Sequence, residues 1–195
     1  MNKRIVVLTG SPRKMGNSAA MANAFISEAE AKGFLVDRFD TASLNISGCL
    51  ACYGCSRTGE CILKDDYAGI EQAIHSADLI VFVTPLYFYG FPSQLKRVID
   101  RFFSLHKYWQ KGNLKPQKTA LLACCADETE DSYQALKYSY HRSIAEMGWE
   151  SVGEVLATGI WGTPDKERLR EACKEASDLA TTLVDKLGMC FTLEQ

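Results

Sequence analysis

Two periods of hydrophobic and polar positions alternate along this chain. Lys3–Thr9 is a short run with an apolar centre, ended by a glycine, and it predicts a first strand. Asn17–Lys32 then carries Ala20, Met21, Ala24 and Phe25 at helical spacing, with Gly33 as its stop. Phe34–Phe39 predicts a second strand, and the Asp65-Asp66 pair opens a short helix over Asp66–His75. Asp78–Thr84, DLIVFVT, is nearly all apolar, as expected of a strand covered on both faces. Further on, Ser93–Leu105 reads as a helix, Thr119–Cys124 as a strand, Ser132–Met147 as a helix and Ser151–Thr158 as a strand. Thr163-Pro164-Asp165 offers a cap, a proline for the first helical position and an early acid. The final helix that follows would bury Leu169, Ala172, Cys173, Ala176, Leu179 and Leu183. Strand and helix in alternation predict an α/β architecture: a five-stranded parallel sheet with right-handed crossovers and helices on both faces. No linker, repeat or low-complexity run interrupts it, so residues 1–195 are expected to form a single domain.

Ligands in such sheets sit at the carboxyl ends of the strands, which directs attention to the loops after the first, third and fourth. The first, Gly10 to Ser18, joins a strand directly to a helix whose leading N–H groups lack carbonyl partners and face the loop. The helix dipole adds partial positive charge there. Ser11, Asn17 and Ser18 offer side-chain hydrogen bonds to oxygen, while Arg13 and Lys14 bring full charge, so the loop is suited to a phosphate. It is no Walker loop, because five residues separate Gly10 from Gly16 and Asn17 stands where lysine belongs; the dinucleotide fingerprint G-x-G-x-x-G is missing as well. The third-strand loop carries Pro85, Leu86, Tyr87, Phe88 and Tyr89, and a flat ring ligand or a second subunit would each account for these adjacent aromatics. After the fourth strand, Cys124 and Cys125 lead into Ala126 and Asp127, with one of the two cysteines expected in the core and the other facing the site.

These loops resemble the flavodoxin-like NAD(P)H-dependent FMN reductases and, more closely, the iron–sulfur flavoproteins. The residues that carry the likeness are Gly10-Ser11-Pro12-Arg13-Lys14 with Gly16-Asn17-Ser18, then Pro85-Leu86-Tyr87-Phe88, with Gln94-Leu95-Lys96 and Asp100-Arg101 beyond. The resemblance implies a flavodoxin-like three-layer sandwich with strand order 2-1-3-4-5, bound FMN, NAD(P)H as hydride donor, and a homodimer or tetramer. It implies that Ser11, Arg13, Asn17 and Ser18 bind the phosphate, with Lys14 and Gly16 in the same cofactor-binding loop. The isoalloxazine would lie against Pro85, Leu86, Tyr87 and Phe88, with Ala126 and Asp127 completing its pocket. On this reading the protein is an oxidoreductase that passes electrons to a quinone, a flavin or a protein; a non-enzymatic electron carrier is the alternative.

Between the second strand and the short helix, Cys49, Cys52, Cys55 and Cys61 are spaced C-x2-C-x2-C-x5-C. Structural zinc usually draws two separated C-x2-C knuckles, which this compact run lacks. A [4Fe–4S] cluster suits the spacing, and the iron–sulfur flavoproteins have a similar one. Redox-active thiols, adventitious zinc and a rigid loop of small hydrophobes remain as other readings. Phosphatase chemistry of the same fold is excluded, because none of these four cysteines has an arginine six residues on. The three histidines sit singly on helical patterns and are read as structural, and Trp161, just past the fifth strand, is read as packing, with covering a ligand as the alternative.

With 22 basic and 24 acidic residues the net charge is −2, which gives no general attraction to nucleic acid or anionic membrane. No run reaches about 18 apolar residues, and the start of the chain lacks a signal-peptide core, so a cytoplasmic location is expected. Eight cysteines in that compartment point to metal or redox duty more than to structural disulfides.

Overall fold

A computed structural model describes residues 3–59, 61–110, 117–161 and 166–189. Five strands, β1 (Arg4–Thr9), β2 (Leu35–Asp40), β3 (Leu79–Pro85), β4 (Lys118–Cys124) and β5 (Glu150–Ala157), form one sheet. All pairings are parallel and the order is β2-β1-β3-β4-β5, as expected of a flavodoxin-like sandwich. The central strands β1, β3 and β4 are almost wholly buried, which explains their unbroken apolar runs.

The described residues include seven helices: α1 (Asn17–Ala31), α2 (Gly54–Thr58), α3 (Tyr67–Ser76), α4 (Ser93–Asp100), α5 (Phe103–Gln110), α6 (Gln134–Glu146) and α7 (Lys166–Met189). On one face α1 and α7 bring Met21, Phe25, Ala172, Ala176 and Leu183 against Ile5, Val7, Val81 and Leu122. On the other, α3, α4 and α6 bring Ile70, Ile74, Leu95, Val98, Leu136 and Tyr140 against Val6, Leu8, Phe82 and Leu121. Gly153 lets α7 approach β5 closely, since a Cβ there would run into Leu179 Cδ1.

The structure departs from the sequence reading in four places. The inner face of α1 is turned by about one residue, so that Ala19 and Ala22 are buried and Ala20 and Ala24 are only half-buried. The expected helix Ser93–Leu105 is broken at Arg101. There the N–H groups of Arg101 and Phe102 turn back to the carbonyls of Val98 and Ile99, both at 3.0 Å, tightening the turn. The buried Tyr67 hydroxyl donates to the Arg101 carbonyl at 2.8 Å, so a side chain of α3 ends α4. The α6 segment starts as a short 3-10 turn over Glu130–Tyr133, and α2 is a helical turn inside the cysteine loop that hydrophobic periodicity does not reveal. The expected cap Thr163-Pro164-Asp165 lies outside the described residues.

Candidate functional site

The chain runs outward from β1 to β2 on one side and to β3 on the other, which opens a crevice beyond the carboxyl ends of β1 and β3. A cleft of about 530 Å³ fills that place. Its volume falls within the range of small-molecule sites, roughly 300–1,000 Å³.

One wall is the loop from β1 to α1. Gly10 donates its N–H to the Val83 carbonyl at 2.8 Å, which ties the loop's exit to β3. A Cβ at Gly10 would stand 3.0 Å from Leu95 Cβ, so a larger residue would push the loop away from α4. Ser11 Oγ accepts the Arg13 N–H at 3.1 Å, and Gly16 donates to the Arg13 carbonyl at 3.1 Å, folding the loop into a compact turn. Gly16 caps α1 without any side-chain hydrogen bond, and no acidic residue sits in the first turn. The leading amides of a 15-residue helix therefore open into the cleft with their partial positive charge unopposed. Ser11, Arg13, Gly16, Asn17 and Ser18 line this end, with Ser18 almost wholly buried and Arg13 exposed.

The opposite wall is the loop after β3. The Leu86 N–H bonds to the Cys124 carbonyl at 2.9 Å, so Pro85 and Leu86 continue the sheet edge into the cleft. Tyr87 and Gly90 then pair across a two-residue turn whose central residues, Phe88 and Tyr89, have φ of 44° and 62°. Left-handed backbone at both positions is the geometry of a type I′ turn, which aromatics adopt only under constraint. The turn lifts Phe88 fully into solvent, while Tyr87 stays at the cleft.

The floor comes from the end of β4. Both Cys124 and Cys125 are buried and both line the cleft, where one of the two was expected in the core. Burial pushes the Cys124 thiol up to about 12 despite the Ser18 hydrogen bond that lowers it, so Cys124 is a neutral thiol at ordinary pH. Ala126 lines the cleft as expected. Lys14, Phe88 and Asp127, proposed from the sequence as ligand contacts, are not among the residues of the cleft wall. Sequence reasoning missed Met15 and Ile160, which are, and Trp161 joins them as the alternative reading of that residue allowed. Trp161 is 78% exposed, so it is a rim residue and not packing. Its place is set by Gly159 and Ile160, whose N–H groups bond to the carbonyls of Asp127 at 2.6 Å and Cys125 at 2.8 Å. Strand periodicity ends before these residues, so nothing in the linear pattern assigns them to the cleft.

The four cysteines of the second candidate site are all free and surround one small apolar pocket with Leu50, Tyr53, Ile62, Leu63 and Phe103. Ala51 and Tyr53 have φ of 51° and 56°, two left-handed residues that coil the loop on itself. The Ala51 N–H approaches Cys49 Sγ at 3.4 Å. A Cβ on Gly54 would meet Ile62 Cγ2 at 2.9 Å, so glycine lets the second half of the loop close over the first. Burial, followed by the neighbouring Cys61, raises the Cys55 thiol above its ordinary value. Among the described residues, no three His, Cys, Asp or Glu side chains converge closely enough to hold a single metal ion. The thiols thus ring a pocket and do not meet at a point. Of the histidines, His141 pairs with Glu154 at 2.7 Å and His106 stacks on Phe103, which agrees with structural roles.

Residues 3–160 match the NADPH-dependent FMN reductase family, a span that contains every wall of the cleft except Trp161. The chain belongs to that family. As a member it is an NAD(P)H-dependent oxidoreductase working with FMN. An iron–sulfur flavoprotein of Archaeoglobus fulgidus is 27% identical over 95% of this chain and 83% of its own length. One from Methanosarcina thermophila is 32% identical over 50% of this chain, and the match spans about half (51%) of that relative. Among solved structures, the NAD(P)H:quinone oxidoreductase of Methanothermobacter marburgensis aligns with a TM-score of 0.75 over 92% of this chain and 96% of its own. At 19% identity that likeness shows a shared fold. No helix among the described residues is long and apolar enough to cross a membrane.

Proposed function

We propose that this FMN reductase relative transfers electrons from NAD(P)H to a small-molecule or protein acceptor such as a quinone or a flavin. In this reading the α1 end of the cleft holds the FMN phosphate and the four-cysteine pocket holds a [4Fe–4S] cluster. The observation that carries the flavin part is the uncapped, acid-free start of α1 opening into a cleft of suitable volume. Asn17 and Ser18 then meet the phosphate through main-chain N–H groups as well as side chains, and Arg13 adds charge from the exposed side. Lys14, outside the wall, contributes at most long-range attraction. Pro85, Leu86, Tyr87 and Ala126 border the ring end, and the Leu86–Cys124 hydrogen bond keeps that end rigid before anything binds. The neutral Cys124 thiol puts no negative charge beneath the ring. When bound, FMN supplies two-electron chemistry and an iron–sulfur centre one-electron chemistry. The net reaction with a quinone balances as NAD(P)H + H⁺ + quinone giving NAD(P)⁺ and hydroquinone.

The cluster part is supported by four free cysteines around one apolar pocket and by the names of the curated relatives. A single zinc ion would need its sulfurs about 2.3 Å from one point, whereas a four-iron centre takes ligands on separate irons. Phe88 and Tyr89, raised into solvent on a constrained turn, suit a subunit contact and support a dimer or tetramer. A single domain in the cytoplasm completes the reading.

Anaerobic purification followed by an absorption spectrum and iron analysis tests both parts. Bound flavin together with about four irons per chain is expected. Colourless protein that refuses added FMN overturns the flavin assignment, and flavin without iron overturns the cluster. A Cys52→Ser variant should lose iron and keep FMN.

A further inference from the structure

Seventeen residues from Ser47 to Leu63 carry the four cysteines, and one buried side chain closes this segment at both ends. Arg101, 2% exposed at the break between α4 and α5, reaches the Ser47 carbonyl at 3.4 Å and the Leu63 carbonyl at 3.3 Å. Those contacts lie two residues before Cys49 and two after Cys61, each within roughly 7 Å of chain at about 3.3–3.6 Å per residue. The same guanidinium meets both carboxylate oxygens of Asp65, a partly buried residue whose side chain is 8% exposed, at 2.7 and 2.6 Å. Asp65 in turn accepts the N–H of Ser47 at 2.9 Å and of Tyr67 at 3.2 Å. Asp66 repeats the tie one step outward, accepting the Asn45 N–H at 2.7 Å and donating its own N–H to the Asn45 carbonyl. Tyr67 lies under the guanidinium, 4.3 Å from ring centre to Cζ, and its hydroxyl bonds the Arg101 carbonyl.

A buried ion pair is a poor way to gain stability, since well-packed apolar residues often do as well or better. What apolar residues cannot do is bind main-chain carbonyls and an N–H at the two ends of one loop. This makes position, and not stability, the reason for the pair.

We propose that Arg101 and Asp65 are positioning residues for the four-cysteine centre: the pair clasps both ends of the loop and holds the thiols around their pocket whether or not metal is bound. The proposal rests on the cluster reading above for what the thiols hold. The loop arrives pre-closed, so metal binding orders little chain. The pair also sets the charge beside the centre. Losing the cation leaves a buried carboxylate, which disfavours adding an electron; losing the carboxylate leaves a buried cation, which favours it.

Two variants, Arg101→Gln and Asp65→Asn, test this with two readouts on anaerobically prepared full-length protein. In metal-stripped samples, alkylation of Cys55 and Cys61 by iodoacetamide, followed by mass spectrometry against Cys173 as an internal reference, is expected to quicken at least tenfold in both variants. In iron-loaded samples the midpoint potential should move down in Arg101→Gln and up in Asp65→Asn, a pair of opposite signs that loosened packing alone would not produce. Alkylation rates equal to wild type, or potentials that shift the same way, overturn the clasp. Iron absent from wild type, with the alkylation difference present, overturns the cluster reading and supports the clasp. If a single variant does not fold, Arg101→Met with Asp65→Leu, which leaves no unpaired buried charge, carries the alkylation test.

Discussion

The flavin cleft and the cysteine pocket are built in opposite ways. Walls of the cleft are the ends of buried parallel strands, each fixed by ladder hydrogen bonds before the loop begins, as Gly10 is to Val83 and Leu86 to Cys124. The cysteine pocket sits in a loop with a single turn of helix, left-handed backbone at Ala51 and Tyr53, and an ion pair in place of a ladder. A site on strand ends inherits its geometry from the sheet, so losing one side chain weakens a ligand and leaves the shape. A site on a long loop has no such scaffold, and its shape depends on a few side chains that bridge it. Arg101, from the distant end of α4, and Asp65, at the loop's own end, are those side chains here.

The sharpest way to break this contrast is Arg101→Ala. Removing one partner of a buried pair strands the other, and the expected loss is roughly 3–5 kcal/mol of folding stability by urea denaturation. Burial alone would raise the Asp65 carboxyl, but the Ser47 N–H and then Arg101 hold it below its ordinary value of 3.8. Its contribution is therefore present above the unfolded carboxyl's value and is lost as pH falls through the lower folded value. Wild type should lose stability below about pH 4 through this group, and Asp65→Asn should show a flatter acid limb.

Next in size is a difference in thiol chemistry between the sites. Cys124, at about 12 against 9.0, should alkylate roughly a thousandfold more slowly than an ordinary thiol at pH 8, while the exposed Cys49 and Cys52 of metal-free protein react readily. Peptide mapping of alkylated cysteines reads this directly, and prompt labelling of Cys124 in folded protein would contradict it.

At the cleft, Arg13→Ala should weaken FMN by about 1.5–3 kcal/mol, or roughly ten- to a hundredfold in Kd. The melting temperature of the flavin-free protein should scarcely move. A melting temperature that falls as far as in Arg101→Ala would erase the distinction between the two regions. Gly10→Ala presses a Cβ onto Leu95 and Thr84, and a loss of about 1–3 kcal/mol is expected with FMN affinity reduced alongside. The smallest effect belongs to Lys96, whose ion pair with Asp100 lies on the exposed side of α4. Lys96→Ala should change stability by no more than about 0.5 kcal/mol.

Local pattern made most of the fold legible. Val6, Leu8, Ile80, Phe82 and Leu121 are apolar because both sides of their strands are covered, and Gly33 ends α1 at φ 85° as a stop should. The phosphate-type loop was legible for the same reason: strand, glycine, polar turn and helix are contiguous, and nine of the residues proposed from the sequence as ligand contacts line the cleft. Where the reading missed, the cause was a partner distant in sequence. Tyr67 breaks the helix at Arg101 from 34 positions away. Trp161 reaches the rim because Gly159 and Ile160 pair with Asp127 and Cys125. Phe88 is the local exception: it leaves the cleft because its neighbours Tyr87 and Gly90 close a hydrogen-bonded turn with left-handed backbone, which a run of aromatics does not signal.

By itself the sequence determined the alternation of strands and helices, the uncapped start of α1 and the spacing of four cysteines, since each is a property of residues adjacent along the chain. Tertiary structure alone decided which side chains face the cleft and what closes the cysteine loop. The physical reason is that a guanidinium binds carbonyls by proximity in space, and Arg101 stands 54 positions from Ser47 and 38 from Leu63 before folding brings all three together.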